Sequence, residues 1–505
     1  MKIKINQRAV LFFSICIFSV TALSGCSLFS RPKKIKVKIP ETFKYAVQPG
    51  NIPIKKDWWK NFKSKELDSL IETAVSHNLN YMIAVKNIKI AKTYVSQAES
   101  NLFPAVNFNY GFTRNKMPGY EAAMFSSGNK SSQNIIYNLN QAGLSASYEL
   151  DAWNQVNNAV KQAGANVAVS KEDADVVKLT LISNVADEYF QITALKKSAA
   201  DLKRQYSAQK EILNFYNIQY KDGLINAQDV ETAKTNLEIL KTELDGSIKL
   251  LDVSKNTLAY YLGKFPEKFK MKTLFNSKSN SGGGNNYKSI TGVNYSKLIP
   301  ANMPSYILTQ RPDVKEAEYN ALSYAYAEKE SLANFFPTFT LTGQYGYASP
   351  SLNDFISAAN EVWNFGLNIL APLFNYKTNI SIYKRSQIQY QKAVLNYRNT
   401  VINAFSETDN ALASYKKDFQ TLKSYEKNYR YSVKLFRIYE VQYKTGIASR
   451  ITYLTYKLDM LNAEYNLINQ NLLLEEDVID IYNALGMGLG TPKPKQTTAA
   501  QPLKN

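Results

Sequence analysis

One stretch that occurs almost twice constrains this chain more than any other feature. Ile218-Gln219-Tyr220-Lys221-Asp222-Gly223-Leu224 is echoed by Val441-Gln442-Tyr443-Lys444-Thr445-Gly446-Ile447, with Gln, Tyr, Lys and Gly in register at an offset of 223 residues (446 − 223). Long helical patterns enter and leave each glycine. A glycine so placed takes the left-handed conformation, ends one helix and turns the chain back. Both copies therefore read as the tips of long helical hairpins.

What surrounds the tips repeats as well. A helical pattern from about residue 64 to 101, carrying Leu67, Leu70, Ile71 and Ala74, is stopped by Phe103-Pro104. Val106, Phe108, Tyr110 and Phe112 then alternate with Asn107, Asn109, Gly111 and Thr113, the period of a strand. Beyond a Gly-, Ser- and Asn-rich loop, Leu144, Ala146, Tyr148 and Leu150 alternate with Ser145, Ser147 and Glu149. Residues 151–222 form one proline-free helical pattern, about 108 Å long at ~1.5 Å per residue. Within it Ile182, Val185, Tyr189 and Ile192 have the spacing of a coiled-coil seam. After Gly223 a helix resumes from Ala227 to Tyr261. The second half opens a helix at Pro304-Ser305, stops at Phe336-Pro337, and alternates at Phe339, Leu341, Tyr345 and Tyr347, then at Trp363, Phe365, Leu367 and Ile369. A helix from 375 to 445, the turn at Gly446 and a last helix to about Leu485 follow. The two shorter helices of each half are expected to stack end to end beside the long one.

These readings divide the chain into a lipoprotein signal peptide (1–25), a tether (26–56), a first repeat (57–274, strands 104–114 and 140–150, tip at 223), a low-complexity linker (275–298), a second repeat (299–490, strands 337–347 and 362–371, tip at 446) and a disordered tail (491–505). Lys2, Lys4 and Arg8 precede an apolar run from Ala9 to Ala22, too short to span a membrane as a helix. Leu23-Ser24-Gly25-Cys26 has the form of a bacterial lipobox, which places cleavage before Cys26 and lipid on its sulfur. Ser27 in the next position favours the outer membrane. Cys16 falls in the removed segment, so no disulfide is expected.

Each strand pattern has the length of a transmembrane β-strand. In lipid every backbone group must be paired, so such strands have to close into a barrel, and four are too few. The chain should therefore oligomerise: two copies give eight strands, three give twelve, and twelve leave room for a lumen. The fold class that follows is an α+β membrane protein, a long coiled-coil α-helical barrel joined to a transmembrane β-barrel.

A formal charge of +19 does not make this a nucleic-acid partner, because Lys and Arg are scattered among Asp and Glu without a basic stripe interleaved with stacking aromatics. Anionic lipid or lipopolysaccharide, or a solvated basic surface, accounts for it better. The chain has 35 tyrosines, which suit membrane interfaces and helical seams. No HExxH, paired cysteines, phosphate-binding glycine loop or nucleophile elbow is present, and His77 is the only histidine. No enzyme activity, cofactor or metal is expected.

Asp57-Trp58-Trp59, Leu102-Phe103-Pro104, Tyr148-Glu149-Leu150-Asp151, the two Tyr-Lys-x-Gly turns, Gln310-Arg311-Pro312-Asp313-Val314, Ala371-Pro372-Leu373-Phe374 and Tyr482-Asn483-Ala484-Leu485-Gly486 follow one another along nearly the whole mature chain. In this order they resemble the TolC-like outer-membrane efflux proteins, in particular the lipoprotein branch that serves resistance-nodulation-division pumps. The resemblance implies a homotrimer with a twelve-stranded barrel in outer-membrane lipid. It implies a periplasmic adaptor (membrane fusion) protein and an inner-membrane resistance-nodulation-division (RND) transporter as partners, and passive conduction as the function. The exit duct of a type I protein-secretion system is the alternative, and a non-conducting structural lipoprotein a weaker one. The same resemblance puts the periplasmic mouth just after Gly446. There Arg450 is the candidate tie, Ile451 a candidate dewetting ring, and Thr452 and Thr455 stand where the family commonly has aspartates. Gly223, Leu224, Gly446 and Ile447 are the candidate adaptor contacts.

Overall fold

Alternation of large apolar and small polar residues, with Gly, Asn, Ser and Thr on one side, produces four extended segments that pair in chain order. The computed structural model describes residues 37, 39–45, 57–119, 134–269, 299, 305–374 and 376–487; Cys26, the 275–298 segment and the 491–505 tail lie outside them. The strands are β1 (Ala105–Met117), β2 (Ile135–Glu149), β3 (Thr338–Ser349) and β4 (Glu361–Leu370). They form one antiparallel sheet of order β1-β2-β3-β4. The register aligns Phe108, Leu144, Tyr345 and Trp363 in one row across the sheet, and Asn107, Ser145, Gln344 and Asn364 in the next. One face is thus apolar and exposed, with Trp363 73% and Phe365 76% accessible. The other is polar and internally bonded: Asn109 Nδ2 donates to Ser145 Oγ at 3.0 Å, and Asn364 Nδ2 to Gln344 Oε1 at 3.1 Å. β1 and β2 both run past the sequence-predicted limits, because Asn115–Met117 and Ile135–Leu139 continue the ladder.

The helices are α1 (Lys65–His77), α2 (Leu79–Ser100), α3 (Gln155–Lys221), α4 (Ala227–Tyr261), α5 (Pro312–Ala333), α6 (Tyr376–Lys444) and α7 (Arg450–Ala484). None of the described helices is long and apolar enough to cross a membrane. The predicted single helix over 64–101 is broken at Asn78. This side chain caps α2 by accepting from the Tyr81 N–H (3.0 Å) and donates to the Tyr261 carbonyl (2.9 Å) at the end of α4. The helix expected from Pro304-Ser305 is a 3-10 segment, Ser305–Gln310, and α5 starts only at Pro312. A proline at the first helical position has no N–H to lose there.

The described residues divide into two units, one of 88–119, 134–169, 317–374 and 376–396, the other of 37, 39–45, 57–87, 170–269, 299, 305–316 and 397–487. In the first, the sheet's helix-linked end is pinned by Trp153, whose Nε1 donates to the Pro337 carbonyl at 2.7 Å and whose ring stacks on Phe336. In the second, the buried core is helical. Trp58 stacks on Tyr482 at 4.9 Å and Phe62 packs on Phe190 at 4.8 Å, which places the Trp-Trp motif in packing. Arg311 joins three elements: it donates to the Ala484 carbonyl (2.9 Å) and pairs with Asp313 (2.8 Å) and Glu407 (2.5 Å). Further along the same unit Phe43 lies on Phe405 at 5.1 Å, and Asp409 accepts from the Lys44 N–H at 3.0 Å.

Candidate functional site

Both tips are built the same way. At the first, Gly223 (φ 70°) closes α3: its N–H bonds the Tyr220 carbonyl at 3.0 Å and the Leu224 N–H bonds Gln219 at 2.8 Å. At the second, Gly446 (φ 78°) bonds Tyr443 at 3.1 Å and Ile447 bonds Gln442 at 2.8 Å. These are the paired hydrogen bonds of a Schellman turn, whose left-handed residue is normally glycine. The next helix is capped by Asn226 on the Asp229 N–H in one tip (3.0 Å) and by Ser449 on the Thr452 N–H in the other (3.0 Å). Leu224 is 71% exposed and Ile447 76%, so each tip presents a bare apolar residue.

The tips differ in what lies behind them. Arg450, the first residue of α7, donates from Nε to Glu211 on α3 at 2.7 Å. Its guanidinium carbon lies 5.0 Å from the ring centres of Tyr443 and Tyr453, which stack on each other at 5.2 Å. The hydrogen bond to Glu211 raises the arginine pKa further, so the cation is permanent. Beneath it Leu454 is buried against Ala208 and Ile212. A partly exposed pair of this kind contributes about 0.2–1 kcal/mol, and each cation–π contact about 0.5–1 kcal/mol. Together these contacts hold Arg450 in its tie between the two hairpins by roughly 1–3 kcal/mol.

Of the other residues expected at the mouth, Ile451 is half-buried. The Thr452 hydroxyl lies 2.9 Å from Ser449 Oγ, and the Thr455 hydroxyl donates to the Ile451 carbonyl at 3.0 Å. Both hydroxyls are thus bonded within their own helix and its cap. Sequence reading missed Glu211, Tyr443 and Tyr453. Glu211 lies 239 residues from its partner, and no local pattern links them.

A second constellation also went unread. Asp187 on α3 and Glu476 on α7 are half-buried, Asp477 on α7 is buried, and the exposed Asp480 lies one turn from Glu476. Burial first, then the charges of Asp480, Glu476 and Glu188, pushes Asp187 up to about 8. Burial, then the charge of Asp418 on α6 and a hydrogen bond to it, pushes Asp477 up to about 8. Asp418 Oδ1 also accepts from Gln470 at 3.1 Å. Asp477 is thus a neutral donor to Asp418 at neutral pH. A raised carboxyl pKa means that the folded state holds its proton where the unfolded chain has released it. The resulting cost is absent below the ordinary value of 3.8, grows through the window up to about 8, and is complete above it. Asp477→Asn keeps a neutral donor and should stabilise the helical unit by about 1–3 kcal/mol at pH 9, with the gain fading as pH falls towards 4. Thermal unfolding in detergent across that range checks this; a gain independent of pH would exclude it. Among the described residues no group of three or more His, Cys, Asp or Glu is placed to hold a metal ion. His77 is exposed, with Nδ1 3.1 Å from the Thr73 carbonyl.

Comparison with known proteins gives this arrangement its context. The chain is 25% identical over 483 residues to the "Probable efflux pump outer membrane protein TtgC" of Pseudomonas putida, covering 94% of this chain and 96% of that protein. It is 25% identical over 478 residues to the "Probable outer membrane lipoprotein SilC" of Salmonella typhimurium, covering 94% and 98%. The fold matches the crystal structure of the Campylobacter jejuni CmeC outer membrane channel with a TM-score of 0.77 at 21% identity, over 92% of this chain and 95% of that one. The family model described as "Outer membrane efflux protein" matches residues 70–264 and 303–487, one segment for each hairpin and its strands, and the chain belongs to this family of outer-membrane channels rather than to a family of enzymes.

Proposed function

We propose that this chain is the exit duct of a tripartite efflux system, conducting substrates passively from a periplasmic adaptor and an RND-type inner-membrane transporter to the exterior. The observation that carries the reading is the open sheet. β1 and β4 are each paired on one side only, and the outward face is a continuous exposed apolar surface. Such edges are untenable in lipid. Three copies joined edge to edge close twelve strands, with the Asn, Ser and Gln face lining a wet lumen, and their helical hairpins form a barrel on the periplasmic side. Lipid on Cys26 anchors the chain to the outer membrane, in keeping with the lipoprotein name of SilC. The two repeats run from 57 to 274 and from 299 to 490. The exposed tips at Gly223, Leu224, Gly446 and Ile447 meet the adaptor, and Arg450 with Ile451 narrows the mouth.

The test is conductance. Purified full-length protein in planar lipid bilayers is expected to form channels, and Arg450→Ala, which severs the Glu211 tie and both aromatic contacts, is expected to conduct several-fold more. Absence of channels in both proteins would sink the duct reading. Channels of equal conductance would sink only the gate assignment.

A further inference from the structure

All the cationic side chains of the four strands lie in one place. β2, β3 and β4 contain no Lys or Arg, and β1 contains two, Arg114 and Lys116. Residues two apart share a face. Arg114 and Lys116 therefore continue the outward row of Val106, Phe108, Tyr110 and Phe112. Both are exposed, and neither has a carboxylate partner among the described residues. Arg114 is opposite Asn138 and Lys116 opposite Ile136. The acid on this face, Glu361, is at the far edge, in the row of Tyr347, Ala142 and Tyr110.

Their height is set by the strand. At ~3.4 Å per residue, the apolar row from Val106 to Phe112 covers about 20 Å. Arg114 and Lys116 lie about 7 and 14 Å further along, and a barrel tilt of about 40° brings these to roughly 5 and 10 Å above the apolar band. That is headgroup level, at the sheet end remote from the helices. At the helix-linked end the same face carries Phe339, Leu341, Leu367 and Ile369 and no cation. The charge is thus confined to one leaflet, the outer one on the reading of the sheet as barrel wall.

We propose that Arg114 and Lys116, with the Asn138 amide beside them, bind the phosphate groups of an outer-leaflet glycolipid, a lipopolysaccharide of the outer membrane. The guanidinium takes one phosphate with two parallel N–H donors, the ammonium adds a second charge about 7 Å away, and the aromatic row below accepts the acyl chains. This inference rests on the proposed barrel, and the experiment separates the two. Full-length protein and the variant Arg114→Gln/Lys116→Gln are reconstituted into vesicles of phosphatidylcholine alone, with added lipid A, or with added phosphatidylglycerol. Lipid retained after detergent extraction is measured by mass spectrometry. The expected result is lipid A retention by the unaltered protein, roughly tenfold reduced in the variant, with little change for phosphatidylglycerol. Equal lipid A retention by the two proteins overturns the site. An equal loss of both lipids in the variant overturns the glycolipid assignment, because charge alone would explain it. Failure of both proteins to insert even into phosphatidylcholine overturns the barrel reading itself.

Discussion

Gly346→Val is expected to abolish channel assembly outright. Gly346 faces Gly143 across the β2–β3 ladder. A Cβ at Gly346 would lie 2.2 Å from the Ala142 carbonyl oxygen and 2.6 Å from the Gly143 Cα, and one at Gly143 would lie 2.7 Å from the Tyr345 oxygen. The obstacles are backbone atoms, which move only by breaking the ladder. The cost of more than about 4 kcal/mol joins the small set of severe single substitutions, and each ladder bond lost in lipid leaves groups that no water can satisfy. The measurement is the oligomeric state in detergent together with conductance, and the variant should show neither a stable oligomer nor a channel. Gly343→Ala is the control, because a Cβ there meets only the Phe365 ring edge at 4.0 Å. It should assemble normally. An assembled, conducting Gly346→Val protein would mean that β2 and β3 do not pair in this register.

The second large effect concerns the tip. Gly446→Val should eliminate efflux, seen as drug susceptibility equal to that of a strain lacking the protein, while the oligomer still assembles. A Cβ at Gly446 meets nothing within 4 Å, so no clash is involved. The penalty comes from φ 78°, a region that a β-branched residue adopts only with strain. Relieving that strain unwinds the Schellman turn and moves Ile447, without touching the sheet or the buried helical core. Gly446→Asn separates two reasons for the glycine, since asparagine tolerates the left-handed region. Retained efflux in Gly446→Asn assigns the requirement to backbone conformation. Loss in both variants assigns it to close approach of a partner. Unchanged susceptibility in Gly446→Val would remove the tip from the docking surface.

Among the described residues four glycines have positive φ, and they show how far the sequence could be read. Gly223 and Gly446 stand out because a Tyr-Lys-x-Gly pattern repeats. Gly263 and Gly486 are separated by the same 223 residues and close the same kind of turn. Yet they are glycines for an additional reason. A Cβ at Gly263 would sit 2.4 Å from the His77 carbonyl, and one at Gly486 would sit 3.1 Å from the Arg311 Cα. The tips need a conformation, whereas the inner ends need a conformation and space. No single-sequence pattern carries that difference, because the neighbouring chain is supplied by distant residues. Asn78 is a similar case. It lies in a run with helical apolar spacing, and it breaks the helix because the Tyr261 carbonyl is within its reach.

The sequence alone determined the elements of this protein. Period two against period 3.6 is a property of neighbouring side chains, and so are the Phe-Pro stops and the turning glycines. Together they set four strands, two hairpins and an apolar strand face that needs lipid or a partner. Tertiary structure decided which distant residues meet. It paired Arg450 with Glu211, stacked Tyr443 and Tyr453 together against the guanidinium, and set Asp477 against Asp418. It also turned Thr452 and Thr455 to bonds within their own helix and its cap. These outcomes depend on the rotation of one long helix against another. Amphipathic pattern fixes that rotation only to a broad stripe, and a contact between single side chains follows only when the helices are packed.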